Sequence, residues 1–316
     1  MCRRYGGTRN HSLTMETFEQ AFNRVLYREP EKFDEFLHLY ADLKSRFSIR
    51  LRQHELLRNA LWAHNDSVVN FLLAEMEDCK LSAQGEVETL LTAAYHGHLK
   101  AIQHLIRMGA GVKAYYKHPH NFPLAWAASN GQLHAVQELL SLGADAAQCD
   151  SWAVFTACEA PYKEQVPVEQ VAPIVKILLD AGACSEPKLN NPQWSALNEA
   201  LSNEDEETAL LLLRHGANIR TRDGSTLSWW GYGMPRVMRE LIKRGMRGDD
   251  IVRDDNMTFL MEAAWNKDTE TVKTLLELGA NINAKDDNGM TALDYARQEQ
   301  AEDIVELLTS YQENHK

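Results

Sequence analysis

Residues 254–285 read DDNMTFLMEAAWNKDTETVKTLLELGANINAK. A polar turn opens the stretch. A short apolar run follows and ends in Ala263-Ala264, with the spacing of a helix. A polar break separates it from a second helical run carrying Val272, Leu275 and Leu276, and Gly279-Ala280 closes the unit. Two short amphipathic helices joined by a tight turn cannot bury both of their apolar faces against each other. Such a unit is stable only with copies of itself on either side.

The copies are present. Units read at 53–85, 86–118 (LLTAAYHGHLKAIQHLIRMGAG), 119–150 (FPLAWAASNGQLHAVQELLSLGAD), 151–188, 190–221 (WSALNEALSNEDEETALLLLRHGANI) and 222–250. After the unit quoted first comes an eighth, DNGMTALDYARQEQAEDIVELLTSY, with a polar second helix and no closing turn, as a C-terminal cap requires. The first unit lacks the closing Gly-Ala, the fourth carries an insertion from Pro161 to Pro167, and the sixth is shortened. Alanine pairs such as Ala93-Ala94 and Ala127-Ala128 let neighbouring first helices approach closely. The leucine pairs of the second helices fill the layer between units, each buried leucine contributing about 1.5–3 kcal/mol. A glycine after each second helix fits a left-handed C-cap.

Ahead of the repeats, residues 1–13 are polar and read as a disordered tail. Residues 14–52 read as a helical N-terminal cap. Thr17 and Gln20 have the spacing of a capping box, Phe18, Ala21, Phe22, Val25 and Leu26 share one face, and Phe33, Phe36, Leu37, Tyr40 and Phe47 form a second stripe. The domain reading is therefore a tail, a cap, and an array of about eight units over 53–316.

The whole chain carries a formal net charge of −12, which argues against wrapping nucleic acid or lying on an anionic membrane. Residues 1–52 hold ten Lys/Arg against seven Asp/Glu, so the rest is more acidic still. The five cysteines (Cys2, Cys79, Cys149, Cys158, Cys184) form no CxxC pair. They fit a reducing compartment and supply no zinc framework. No apolar run approaches the ~18–20 residues of a membrane span, and the N-terminus lacks the apolar core of a signal peptide. A soluble, cytoplasmic, monomeric, cofactor-free chain is expected.

Over residues 53–312 the pattern resembles ankyrin repeats. Asp223-Gly224 with Thr226, Phe122-Pro123-Leu124 with Ala127-Ala128, Gly97-His98 with Leu99, and the closing glycines Gly109, Gly143, Gly182, Gly216 and Gly279 carry the resemblance. It implies an all-α solenoid of helix-turn-helix units with hairpin-like fingers. It also implies a scaffold or adaptor that holds a protein or peptide in the concave groove lined by finger tips and first helices.

Mapped by register, the resemblance puts Thr92, Trp126, Thr156, Glu199 and Glu262 just before the alanine pair. After the pair come Tyr95-His96, Ser129-Asn130, Glu159-Ala160, Ser202-Asn203 and Trp265-Asn266. In the sixth unit Trp229, Trp230 and Tyr232 occupy the equivalent stretch, and Tyr115, Tyr116 and His118 sit on the third finger. Large rings with few rotamers make good interface anchors. The expected partner-binding set is therefore Tyr95, His96, Tyr115, Tyr116, His118, Trp126, Asn130, Glu199, Trp229, Trp230, Tyr232, Trp265 and Asn266. The competing reading is that several of these rings pack between units. Trp152 and Trp194, near the turns before first helices, are assigned to packing; Trp126 and Trp265 to binding.

Arg236, Arg239, Lys243 and Arg247 recur at helical spacing and, with Arg220 and Arg222, make a basic island; it reads as a solvated outer face in preference to a site for an acidic partner or phosphate, and the acidic run from Glu204 to Glu207 reads as a loop leading into a helix N-terminus. His98 matches the family's structural Gly-His position, and His104 falls on the packing side of its helix. The hydrolase, zincin and nucleotide-binding motifs do not occur, so no catalytic residue or metal site is expected. Cys158 reads as a core thiol; Cys149, at a finger, is the cysteine to test for reactivity. Ile282-Asn283 resembles an asparagine-hydroxylation context. Two other readings stand beside the scaffold: a secreted effector that engages a host protein with the same array, and an enzyme with its site in the irregular fourth to sixth units. Self-association is a third.

Overall fold

The computed structural model describes residues 15–28, 31, 33–46, 53–76, 83–185, 195–219, 234–247, 249–250 and 255–314. Among these residues there is no β-strand, and the helices fall into pairs. The cap is α1 (Met15–Tyr27) with α2 (Phe33–Arg46). The repeats follow as α3 (Gln53–Trp62) with α4 (Asp66–Glu75), α5 (Ala83–Tyr95) with α6 (Leu99–Arg107), and α7 (Pro123–Ser129) with α8 (Leu133–Ser141). Next come α9 (Gln148–Lys163) with α10 (Val171–Asp180), and α11 (Ala196–Ser202) with α12 (Glu206–Arg214). The sixth unit contributes α13 (Pro235–Lys243), and the last two α14 (Phe259–Trp265) with α15 (Thr269–Glu277) and α16 (Ala292–Gln298) with α17 (Glu302–Asn314). Trp194, Phe47, and the sixth-unit residues Trp229, Trp230 and Tyr232 lie outside the described residues.

The helices form two rows. First helices touch in the order α3–α5–α7–α9–α11, and α14 touches α16. Second helices touch in the order α4–α6–α8–α10–α12–α13–α15–α17. The alanine pairs Ala93-Ala94, Ala127-Ala128 and Ala263-Ala264 are all buried at the inner-row contacts, and Leu72, Leu139, Leu178, Leu212 and Leu275 are buried in the outer layer. Each unit thus borrows half of its core from the next, as expected for a stack of units that cannot close alone.

Local chemistry sets the ends of the helices. The side chains of Asn65, Ser195, Asp205, Thr258, Asp268 and Thr291 accept backbone N–H bonds as N-caps. At the far end, Gly143 takes φ 92°. Its N–H donates to Leu140 O at 3.0 Å, and Ala144 N–H reaches back to Leu139 O at 2.9 Å. That pair of bonds is a Schellman cap, which needs a left-handed residue at the turn. The recurring Gly-Ala of the sequence is this cap.

The cap of the array is held by rings. Phe22 lies 5.5 Å from Phe36, and Phe71 on α4 meets Tyr40 edge-on at 5.0 Å. The first helix starts at Met15, so Thr17 lies inside it and not at a capping box; that expectation is corrected.

The fourth unit departs most from the pattern. Its first helix runs on to Lys163, with Pro161 in the last turn, and a 3-10 turn (Val168–Gln170) leads into α10. At its start, Cys149, Asp150 and Ser151 take φ of 51°, 56° and 65°. Left-handed backbone costs a non-glycine residue about 1–2 kcal/mol. The segment is tied down by Cys149 Sγ–H donating to Pro119 O at 2.9 Å and by Ser151 Oγ accepting Cys184 N–H at 2.7 Å. Buried Val166, from the inserted stretch, lies over Gly131: a Cβ built there would come within 2.7 Å of Val166 Cγ1.

Candidate functional site

The units share one register, fixed in every described first helix of the array except α9 by a backbone bond that closes the helix. Asn65, His98, Gln132, Asp205, Asp268 and Ala301 N–H donate to the carbonyls of Ala60, Ala93, Ala127, Ala200, Ala263 and Ala296 at 2.9–3.1 Å. Equivalent positions can therefore be compared directly. Trp62, Tyr95 and Trp265 each sit two residues after their alanine, and Thr92, Trp126, Glu199, Glu262 and Tyr295 one residue before.

A cavity of about 510 Å³ opens between the first helices and the third finger. Arg58, Asn59 and Trp62 of α3 line it, with Glu88, Leu91 and Thr92 of α5, Trp126 of α7, and Tyr116, Lys117 and Asn121 of the finger. The finger holds its shape through Tyr116 N–H to Asn121 O at 2.9 Å and the Asn121 side-chain amide to Tyr116 O at 3.1 Å. Lys117 takes φ 62°, which brings its Nζ over the Tyr116 ring at 4.6 Å from the centroid. Arg58 and Glu88 form an ion pair across α3 and α5.

Three rings stand in a row beside this cavity. Tyr95 lies 5.7 Å from Trp62 and 5.7 Å from Trp126. Its hydroxyl donates to Glu164 Oε2 at 2.6 Å, and burial together with Glu164 pushes its pKa up to about 12. Trp62 is 51% exposed, a large apolar surface left facing solvent at the cavity mouth. Behind it, His96 packs edge-on at 4.5 Å from Trp62 and 4.6 Å from His64, and His98 lies 5.9 Å from His64. Burial, reinforced by His64 and His98, pushes His96 down to about 4. Its imidazole is neutral at pH 7.

The expected binding residues therefore divide. Tyr95, Tyr116 and Trp126 converge at one place, and His96 supports them from behind. Tyr115 is 59% exposed on the same finger. His118 is exposed too, 4.7 Å from His120, whose ring stacks on Trp152 at 3.9 Å; Trp152 packs, as expected. The Asn130 side-chain amide is spent on Tyr95 O at 2.7 Å, a bond between units that Asn203 repeats to Cys158 O at 2.9 Å. Glu199 lies half-buried further along, its carboxyl pushed up by burial and by Glu159. At the far end Trp265 stacks on Tyr295 at 5.6 Å and 13°, and Asn266 donates to the buried Glu262 at 3.2 Å.

Trp62, Arg58, Glu88, Lys117 and Asn121 are absent from the sequence-derived set. The signal for Trp62 existed. Ala60 holds the register of the first alanine of a pair, but the unit lacks the closing Gly-Ala that marks the others.

Among the described residues no group of three or more His, Cys, Asp or Glu could hold a metal ion. Cys158 is buried and its thiol pushed well up, chiefly by burial and then by Asp205 and Glu199. Burial and Asp150 also raise Cys149, the opposite of what an activated nucleophile requires. His104 is buried on its helix as expected, and Asn283 is exposed, its N–H donating to Asn281 Oδ1 at 3.0 Å. No helix among the described residues is long and apolar enough to cross a membrane.

Several known proteins are similar to this chain over part of its length. The chain is 34% identical to a potassium channel, AKT2/3, of Arabidopsis thaliana over 118 residues, which is 36% of this chain and 14% of the channel. It is 30% identical to human Rabankyrin-5 over 119 residues, 38% of this chain and 9% of that protein. It thus spans a small part of either relative. A solved structure, the ankyrin repeat domain of human ASB11, aligns with TM-score 0.48 and 24% identity, covering 67% of this chain and 95% of that one. A family profile described as "Ankyrin repeats (3 copies)" matches residues 57–150 and 230–316. With more than half of its length matched and its described units stacked in one register, the chain belongs to the ankyrin-repeat family.

Proposed function

We propose that this chain docks a protein segment at the cavity walled by Trp62, Trp126 and Tyr116, and that Tyr95, Tyr115 and His118 extend the contact along the groove. Ankyrin arrays are non-catalytic scaffolds that bind protein partners on the concave repeat surface. The observation that carries the reading is the half-exposed Trp62 at the mouth of a preformed cavity of about 510 Å³. A rigid pocket with large rings loses little conformational freedom when it is filled. Arg58, Lys117 and Glu88 at the rim supply charge to orient the segment. The net charge of −12 speaks for a polypeptide over a nucleic acid. The scattered cysteines fit work in a reducing compartment, with the chain acting as a monomer.

The test begins with affinity capture and mass spectrometry. The captured partner is then purified and titrated against the parent chain and against Trp62→Ala with Trp126→Ala. A loss of about 100-fold or more in affinity is expected, since anchor rings at an interface carry about 2 kcal/mol or more each. Equal affinity for the two proteins would overturn the reading.

A further inference from the structure

A second cleft lies away from the groove. It is lined by Val168 and Glu169 of the 3-10 turn, Ala172, Pro173 and Lys176 of α10, and Glu204, Asp205, Glu206, Glu207, Leu211 and Arg214 at and within α12, and encloses about 770 Å³. No finger residue and no residue of α7, α9 or α11 lines it. The unusual fourth unit creates it, because the inserted stretch ends in the 3-10 turn that forms one wall. Elsewhere in the outer row, between α6 and α8, the gap is bridged by Gln103 donating to Glu138 at 2.9 Å.

The floor of the cleft is apolar: Val168, Ala172, Pro173 and Leu211. The rim is acidic. Glu169, Glu204, Glu206 and Glu207 stand around it, and Asp205 is 5% exposed, with its Oδ1 occupied by Thr208 N–H at 3.0 Å. Against these carboxylates stand Lys176, already paired with Asp180, and Arg214. Two of the rim carboxylates already bind a guanidinium from the same chain. Arg236 Nη1 donates to Glu207 Oε1 at 2.7 Å and to Glu206 Oε2 at 3.3 Å, and its backbone N–H to Glu206 Oε1 at 3.2 Å. Glu169 and Glu204, on the open side, make no ion pair among the described residues.

We propose that the α10–α12 cleft is a second docking site, taking a partner segment in which an aliphatic side chain is flanked by arginine or lysine. The aliphatic group covers Val168, Ala172, Pro173 and Leu211. The flanking cations reach Glu169 and Glu204 as Arg236 reaches Glu206 and Glu207. Binding here is independent of the concave groove, so one chain can hold two partners at once, which is how a scaffold brings two proteins together.

The test uses a fluorescein-labelled hexapeptide of alternating arginine and leucine, followed by fluorescence anisotropy against the full chain. Glu169→Gln with Glu204→Gln is the cleft variant, and Glu270→Gln with Glu277→Gln on α15 is its charge-matched control. Circular dichroism verifies that each variant is folded. The cleft variant is expected to weaken binding about fivefold or more, and added salt to weaken it further, while the control binds like the parent. Ala172→Arg, which fills the cleft with a like charge, should abolish it. No binding by the parent up to millimolar peptide, an equal loss in cleft variant and control, or equal binding of the glutamate–leucine counterpart would overturn the proposal. Loss of binding in Trp62→Ala with Trp126→Ala alone would place the peptide in the groove, sinking this site and leaving the concave reading intact.

Discussion

His96 couples the candidate groove to pH. Its folded pKa of about 4 lies below the ordinary 6.5 because burial and two neighbouring imidazoles oppose the charged form. Its Nε2 is buried with no hydrogen-bond partner among the described residues. Between these values the unfolded chain binds more protons than the folded one. The stability is therefore fully present above pH 6.5 and is lost as pH falls toward 4. Discounted for partial exposure, the loss at pH 5 relative to pH 7 is about 1 kcal/mol. Urea denaturation at the two pH values should register it, and His96→Gln should reduce the difference by about that amount, the rest coming from His54, which burial also pushes down to about 4, and from His98 and His120, which burial lowers too. Gly131 offers a second residue-scale test. It combines φ 68° with Val166 overhead. Gly131→Ala should cost about 2 kcal/mol or more, with strain and overpacking adding. Gly143→Ala meets open space and should cost only the strain. Adding Val166→Ala to Gly131→Ala should recover part of the loss; no recovery would leave backbone strain and the Gln170 side chain, whose Oε1 would lie 2.9 Å from the new Cβ, as the causes.

Between elements, the alanine pairs and the ring pairs carry opposite duties. Ala127 is buried where α7 meets its neighbours. Ala127→Leu should force α5, α7 and α9 apart and cost about 1–3 kcal/mol in a denaturant titration. Trp265 and Trp62 make a sharper comparison. Trp265 stacks on Tyr295 and is packed against the core. Trp265→Ala should cost about 3 kcal/mol or more of stability, as for other large-to-small core changes. Trp62 is half exposed, so Trp62→Ala should change the denaturation midpoint little while reducing partner affinity. If instead Trp62→Ala unfolds the chain and Trp265→Ala does not, the division between binding and packing rings is wrong.

Among the described residues, the molecule is a row of nearest-neighbour contacts. The apolar face of α14 and α15 is covered by α16 and α17, with Tyr311 O–H donating to Leu276 O at 3.0 Å. Deleting residues 291–316 should bare Leu276 and its neighbours, lower the unfolding midpoint, and raise both hydrophobic-dye binding and light scattering. The same row explains how much was legible beforehand. Periodicity marked the paired helices because most units repeat the same solution: small residues inside, leucines outside, glycine at the cap. In the N-terminal helices Phe22, Val25, Leu26, Phe36 and Tyr40 were legible from helical periodicity alone, and all five are buried. The inserted turn of the fourth unit, its left-handed Cys149–Ser151 segment and the cleft it opens were not legible, since each depends on what lies opposite it in the neighbouring units.

Trp62, Tyr95 and Trp265 hold one register position, and the chain's own pattern fixed that they would face the same side. What became of each ring was settled by the next unit in the stack. Opposite Tyr95 stands Trp126, which leaves Tyr95 half-buried beside a second ring, and opposite Trp265 stands Tyr295, which stacks on it. Opposite Trp62 stands Thr92, too small to cover it, and the result is an exposed ring beside an open cavity. A local pattern encodes which way a side chain points. Whether it is covered depends on the volume across the interface, and that exists only once the units are stacked.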